Sequence, residues 1–455
     1  MDDVVAVSGI ATGGEGVGRL ADGRAVFVPR TAPGERVRLR PQSVRIHKRY
    51  ARGEVAEIVT AAATRVVARC AHYDGDRCDG CQLQHLAYPA QLDAKRAIVL
   101  DTLQRIGKIA VPEPAVVGAA AQWRYRTRIV LTRSGPAFGF TRYDRPGAAF
   151  RLVDCHIADT RLVALWQALE HHLELLPERA IRLTLRLDRE GARHLIVQSA
   201  GEPWRTADRL RDALQDGAGV ICWWHPVDGA ARIVAGPSTG YPPVGFEADH
   251  PAMDGLVRDW AVQCLGAVQS SVVWDLYAGI GDTTARLAAR EASVVSVDAD
   301  EQAVGWARRR PELSSQGDRV RIVAGRVEDV TPSLPDPRAV IVRPPPTGLH
   351  WDVALRLTGD PVAHLVYVSR DPATLARDLH RLSVNYELRS LRVFDAGQCL
   401  RRHGPGLARE QQLIERRSRN GSEVGLVWLS VDEHPAAVHV DLHDLRRGTD
   451  ADVIL

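Results

Sequence analysis

Two groups of residues in this sequence are typed and spaced for chemistry. The first is Cys70, Cys78 and Cys81, a C-x7-C-x2-C run, with Cys155 standing alone far downstream. A C-x2-C pair puts two thiolates on one tight turn, so both reach a single metal centre. Four thiolates suit tetrahedral zinc or an iron–sulfur cluster, and spacing alone does not choose between them. Cys222, Cys264 and Cys399 have no such neighbours and read as core residues. Seven cysteines in 455 residues are too few for a disulfide scaffold.

The second group runs from Asp275 to Asp282, D-L-Y-A-G-I-G-D. An apolar strand feeds a turn in which Gly279 and Gly281 allow close backbone approach to a ligand, followed by a helix expected over 283–290. The next strand ends in Val297-Asp298, where a carboxylate is placed to accept hydrogen bonds from ribose hydroxyls. This is not the full G-x-G-x-x-G of dinucleotide sites. D-x-x-x-G-x-G with a downstream acid fits an S-adenosyl-L-methionine site better.

Both groups need elements to hold them. Residues 241–432 alternate apolar strands (272–275, 294–297, 320–323, 339–342, 365–368) with helical stretches, the pattern of a doubly wound parallel sheet. Residues 63–240 carry the cysteines, a helix expected over 88–106 and several strands. One of these, 181–187, alternates strictly, so the expectation is an α+β domain. Residues 1–62 show short strands and tight turns, among them Asp22-Gly23-Arg24, and read as a small β-barrel of the oligonucleotide-binding kind. In the strand 35–40, Val37 and Leu39 would face a core, and Arg36, Arg38 and Arg40 solvent or a polyanion. Residues 433–455 have no clear period and read as a tail. Three domains suit the length.

Hydrophobic residues make up 45% and charged residues 25%, which excludes disordered, collagen-like and coiled-coil chains. No apolar run is long enough to span a membrane, and the acidic start lacks the features of a secretory signal. A cytoplasmic monomer with no membrane partner is the expectation. Net charge is only +3, but eleven arginines and Lys48 face seven acids over 1–69. Arginine's planar fork suits phosphate.

With these motifs in place, the sequence resembles the iron–sulfur, TRAM-domain RNA 5-methyluridine methyltransferases over about 1–432. The resemblance rests on Gly16-Val17-Gly18-Arg19, Phe27-Val28-Pro29, Ala32-Pro33-Gly34-Glu35, Cys81-Gln82-Leu83-Gln84-His85-Leu86 and 369–379. It implies a TRAM barrel, a central domain whose Cys70, Cys78, Cys81 and Cys155 hold a 4Fe-4S cluster, and a Rossmann-like methyltransferase domain. It also implies that Tyr277, Gly279, Gly281, Asp282 and Asp298 bind S-adenosyl-L-methionine, with tRNA or rRNA as substrate.

The chain departs from the family pattern on the acceptor side. The nucleophilic cysteine falls on Arg370, the aspartate before paired prolines on Arg343, and the glutamine and asparagine of F-x-Q-x-N on Ala248 and His250. The closing histidine–glutamate motif gives way to an arginine-rich stretch, 401–419. An arginine stays protonated and cannot attack carbon 6 of uracil. Arg343 and Arg370 would line a substrate pocket favouring an anion, with Cys399 a candidate for a relocated thiol. The catalytic residue is not identified. The expectation is a methyltransferase-like protein acting on RNA; the alternative is a catalytically inactive RNA-binding paralogue.

Overall fold

Valines at alternate positions near the N-terminus point to one side. Val5, Val7, Val26, Val28, Val37 and Leu39 form a single core completed by Ala51. The structure, a computed structural model, describes residues 4–145, 147–214, 219–238 and 248–397, and the backbone of 425–430. Cys399, the stretch 401–419 and the tail 433–455 lie outside the described residues.

The N-terminal strands form a seven-stranded sheet in the order Arg45–Ile46, Tyr50–Arg52, Ala25–Val28, Gly16–Arg19, Val4–Ile10, Arg36–Leu39, Val55–Thr60. Gly23 turns the expected hairpin at φ +86°. Arg38 and Arg40 do leave the core, but Glu57 and Glu54 take them.

A second seven-stranded sheet lies within 128–235, with Arg128–Ser134, Ala180–Leu187 and Arg193–Ser199 at its centre. The alternation expected over 181–187 holds only over 182–185: Ile181 is exposed where the register shifts, and 186 and 187 are both buried. Arg186 is only 3% exposed, with its charge beside the half-buried Asp249.

The third sheet runs Val320–Ala324, Ser293–Asp298, Val272–Leu276, Ala339–Val342, His364–Ser369, Gly425–Ser430, Glu387–Phe394, Ala115–Val117. The first five strands are parallel, as the strand–helix alternation requires, and Gly425–Ser430 inserts antiparallel to both neighbours. Connections leave Val272–Leu276 in both directions, so the crevice between it and Ala339–Val342 is the topological switch point.

The span 63–240 is not one structural unit. The helix Tyr88–Thr102 continues through a single π-helical turn, Leu103–Gly107, and buries Val99 and Leu103 with Leu375, Ala376 and Leu379 in the core of the third sheet. The strand Ala115–Val117 then pairs with Glu387–Phe394 at that sheet's edge. Val99 and Leu103 are fully buried there, and the burial of such side chains binds this segment to the third sheet. Among the described residues no helix is long and apolar enough to cross a membrane.

Candidate functional site

The chain leaves the strand Val272–Leu276 through Tyr277 at φ +62°, then Gly279 at +59° and Gly281 at +79°. A tyrosine in left-handed backbone is strained, and such strain gathers at ligand sites. A side chain on Gly281 would press within 2.7 Å of Leu313. Asp298 closes the turn: Oδ2 accepts the Gly279 N–H at 2.7 Å and Oδ1 the Asp300 N–H at 2.8 Å. Burial pushes its carboxyl pKa upward. Tyr277, Gly279, Gly281 and Asp298 therefore share one edge of the switch-point crevice.

Asp282, at the start of the helix Asp282–Ala288, is differently engaged. Arg310 holds its carboxylate at 2.6 Å, and Arg189 from the central sheet's 188–192 turn reaches it at 3.1 Å. It ties the glycine turn to the central domain.

Asp275 lies beneath the turn, 1% exposed, and accepts the Thr284 hydroxyl at 2.6 Å. Burial pushes its carboxyl up to about 6. The folded state thus holds this proton more tightly than the unfolded chain, whose aspartates titrate near ~4, so stability falls as pH rises across that window. Asp275→Asn keeps an acceptor for Thr284 and removes the charge. It is expected to be more stable than the wild type above pH ~7, on the order of 2 kcal/mol, with the difference closing near pH ~4. Thermal unfolding at several pH values checks this; parallel curves would refute it.

The two arginines expected to line a substrate pocket follow adjacent strands. Arg343 follows the strand Ala339–Val342, and its backbone N–H bonds Leu276 O at 3.1 Å, beside the turn. Its guanidinium is ion-paired to Asp254, and both side chains are 10% exposed. Asp254 also holds Arg258 Nε at 2.7 Å, and Arg258 reaches the Thr283 hydroxyl at 2.6 Å. Arg343 is thus part of a buried Arg–Asp–Arg array, which corrects the expectation of an anion-binding guanidinium there. Arg370, half-buried, follows the adjacent strand His364–Ser369. The next residue, Asp371, caps the helix Pro372–Leu382 by accepting the Ala373 and Thr374 N–H groups at 2.9 Å. Asp378 of that helix is fully buried and accepts the Tyr367 hydroxyl and the Leu349 N–H, both at 2.7 Å. It pins the loop after Arg343. The retained 369–379 segment thus has a structural task independent of any nucleophile.

Cys70, Cys78, Cys81 and Cys155 line a single pocket together with Tyr73, Arg126 and Asp154. All four are free thiols, and burial pushes Cys78 up to about 12 and Cys155 up to about 11. Among the described residues no three His, Cys, Asp or Glu side chains converge on the position of one metal ion.

Asp254, Arg258, Asp378 and the buried pair Lys95–Asp395 escaped the sequence reading. Two signals were available. Asp254 and Arg258 stand four apart on a helix, and Lys95 is one of only three lysines in an arginine-rich chain.

The switch-point crevice with its glycine turn and facing acid defines a nucleotide-type α/β methyltransferase fold with β-modules ahead of it. Residues 4–56 match the TRAM domain. The chain is 32% identical over 424 residues to the 23S rRNA (uracil(1939)-C(5))-methyltransferase RlmD of Halomonas elongata, covering 86% of this chain and 85% of that one. It is 30% identical over 427 residues to an uncharacterized RNA methyltransferase of Gloeobacter violaceus, covering 83% and 89%. The crystal structure of the Pyrococcus abyssi tRNA (uracil-54, C5)-methyltransferase with S-adenosyl-L-homocysteine matches the fold with TM-score 0.65 at 20% identity, over 94% of this chain and 100% of that one. The chain belongs to the TRAM-containing RNA uracil-C5 methyltransferase family.

Proposed function

We propose that this protein binds S-adenosyl-L-methionine at the switch-point crevice and methylates a tRNA or rRNA atom that is nucleophilic without a covalent enzyme adduct, such as a ring nitrogen or a ribose oxygen. The cofactor supplies an electrophilic methyl group. Tyr277, Gly279 and Gly281 leave room for it, Asp298 receives its ribose, and Asp282 holds the turn against the central domain.

One observation supports the reading: the glycine turn and Asp298 are brought together at the crevice, while the residues directly after the next two strands are Arg343 and Arg370. By the resemblance, the family's attacking thiol and base-holding acid fall on Arg370 and on Arg343, which is ion-paired to Asp254. Neither can supply a thiolate or accept the hydrogen bonds of a carboxylate. The burial of Arg343 against Asp254 also favours a second reading, a silent RNA-binding paralogue.

We also propose a 4Fe-4S cluster at the cysteine pocket. What supports this is that the four cysteines line one cavity and that the resemblance assigns them to such a cluster.

Comparing nucleosides from total RNA of cells with and without the protein, by mass spectrometry, tests the function. A methylated nucleoside other than 5-methyluridine is expected to disappear. No lost nucleoside, with calorimetric cofactor binding intact, would establish the silent paralogue. Loss of 5-methyluridine would overturn the proposed chemistry.

A further inference from the structure

Arg30 sits in the loop between the strands Ala25–Val28 and Arg36–Leu39, in left-handed backbone at φ +63°, a conformation that favours glycine. An arginine held there is strained, so its side chain has something to hold on to. The guanidinium leaves the barrel and enters the cysteine-bearing loops. It stacks 3.2 Å from the centre of the Tyr73 ring and 4.9 Å from that of Tyr143. Its Nη2 donates to the Cys78 carbonyl at 2.8 Å, and the side chain is 10% exposed.

The contact is returned from the other side. His85 Nε2 donates to the Thr31 carbonyl of the barrel at 3.1 Å. Its Nδ1 lies 2.6 Å from the Tyr73 hydroxyl, which is also 2.7 Å from the Gln82 carbonyl. Arg65 donates to the Arg30 carbonyl at 2.8 Å and pairs with the fully buried Glu35. Leu83 and Leu86 pack on Ala32 in a small apolar cluster. Of the residues that seat the barrel, Tyr73 lies between Cys70 and Cys78, Cys78 is itself one of the cysteines, and Leu83 and His85 follow directly after Cys81. Whatever fixes the cysteines also fixes the seat.

We propose that Arg30 couples the docking of the TRAM barrel to the state of the cysteine pocket. The barrel is held in place while the cysteines carry their metal group and is released when they lose it. This rests on the reading of the pocket as a metal–sulfur site. Arg30 is a positioning residue; it touches Cys78's backbone and the ring of Tyr73, not the metal.

The test uses the full chain purified anaerobically, its iron and sulfide content, and hydrogen exchange followed by mass spectrometry. Stripping the metal with a chelator is expected to speed exchange at 29–35 about tenfold, although these residues hold no cysteine. Arg30→Gly, which suits the backbone, is expected to keep the iron and sulfide yet show the same fast exchange at 29–35 before stripping, and to gain nothing further after it. Arg30→Lys, keeping charge without the fork, should fall between. Iron and sulfide present, with exchange at 29–35 unmoved by stripping, would overturn the coupling and leave the cluster standing. A protein purified with neither iron nor sulfide would overturn both.

Discussion

Asp254→Ala is expected to lower stability by about 3–5 kcal/mol, because it strands two buried guanidiniums that now share one carboxylate. Arg258 and Arg343 are 7% and 10% exposed, so water cannot take over the role. The two arginines hold the Asp254 carboxyl well below the usual carboxylate range. A depressed pKa contributes stability above the unfolded value near ~4 and loses it as pH falls further. The wild type should therefore show an acid-side loss that Asp254→Ala lacks. Urea unfolding at neutral pH and at pH ~3 measures both effects; a variant within ~1 kcal/mol of the wild type at neutral pH would show the array to be dispensable. The same array explains why writing the family's residues back is not a simple repair. Arg343→Asp would set two carboxylates against each other with Arg258 alone between them. Arg343→Asp/Arg370→Cys is therefore expected to fold poorly, and adding Asp254→Asn to recover stability.

The second large effect is on the cofactor. Asp298→Ala removes the carboxylate proposed to receive the ribose, which also ties down the Gly279 amide at 2.7 Å. Losing a charged hydrogen bond to the ligand together with the pre-set turn is expected to cost about 2–3 kcal/mol, or roughly 30–100-fold in S-adenosyl-L-methionine affinity. Isothermal calorimetry on wild type and variant reads this directly. Unchanged affinity would place the cofactor elsewhere than this crevice.

Much of the donor side is legible in the sequence because its rules are local. A buried strand, two glycines and an acid at the next strand tip follow one another within 275–298, and short-range backbone geometry dictates their meeting. The parallel strands are legible for the same reason, since apolar runs separated by helical stretches have few other solutions. The acceptor side is not. Arg343 reads as a free cation because its partner, Asp254, lies 89 positions upstream and is brought to it only by the packing of the helix Pro251–Cys264. Asp378 is fully buried and bonded to Tyr367 and Leu349, partners that its own segment does not announce. Charges that cancel across the fold leave no periodic trace in the sequence. The 63–240 boundary fails on the same ground: nothing near Ala115–Val117 announces that its partner strand begins at Glu387.

That outlying strand has a consequence for how the protein can be handled and how it could have arisen. The catalytic half cannot be excised as a cassette beginning after residue 240, since the cut would discard Ala115–Val117 and bare the backbone of Glu387–Phe394 to any passing chain. It would also remove Lys95, the counter-ion of the buried Asp395 at the end of that strand. A fragment beginning after residue 240 is therefore expected to aggregate where the whole chain stays folded, which light scattering of the two would show.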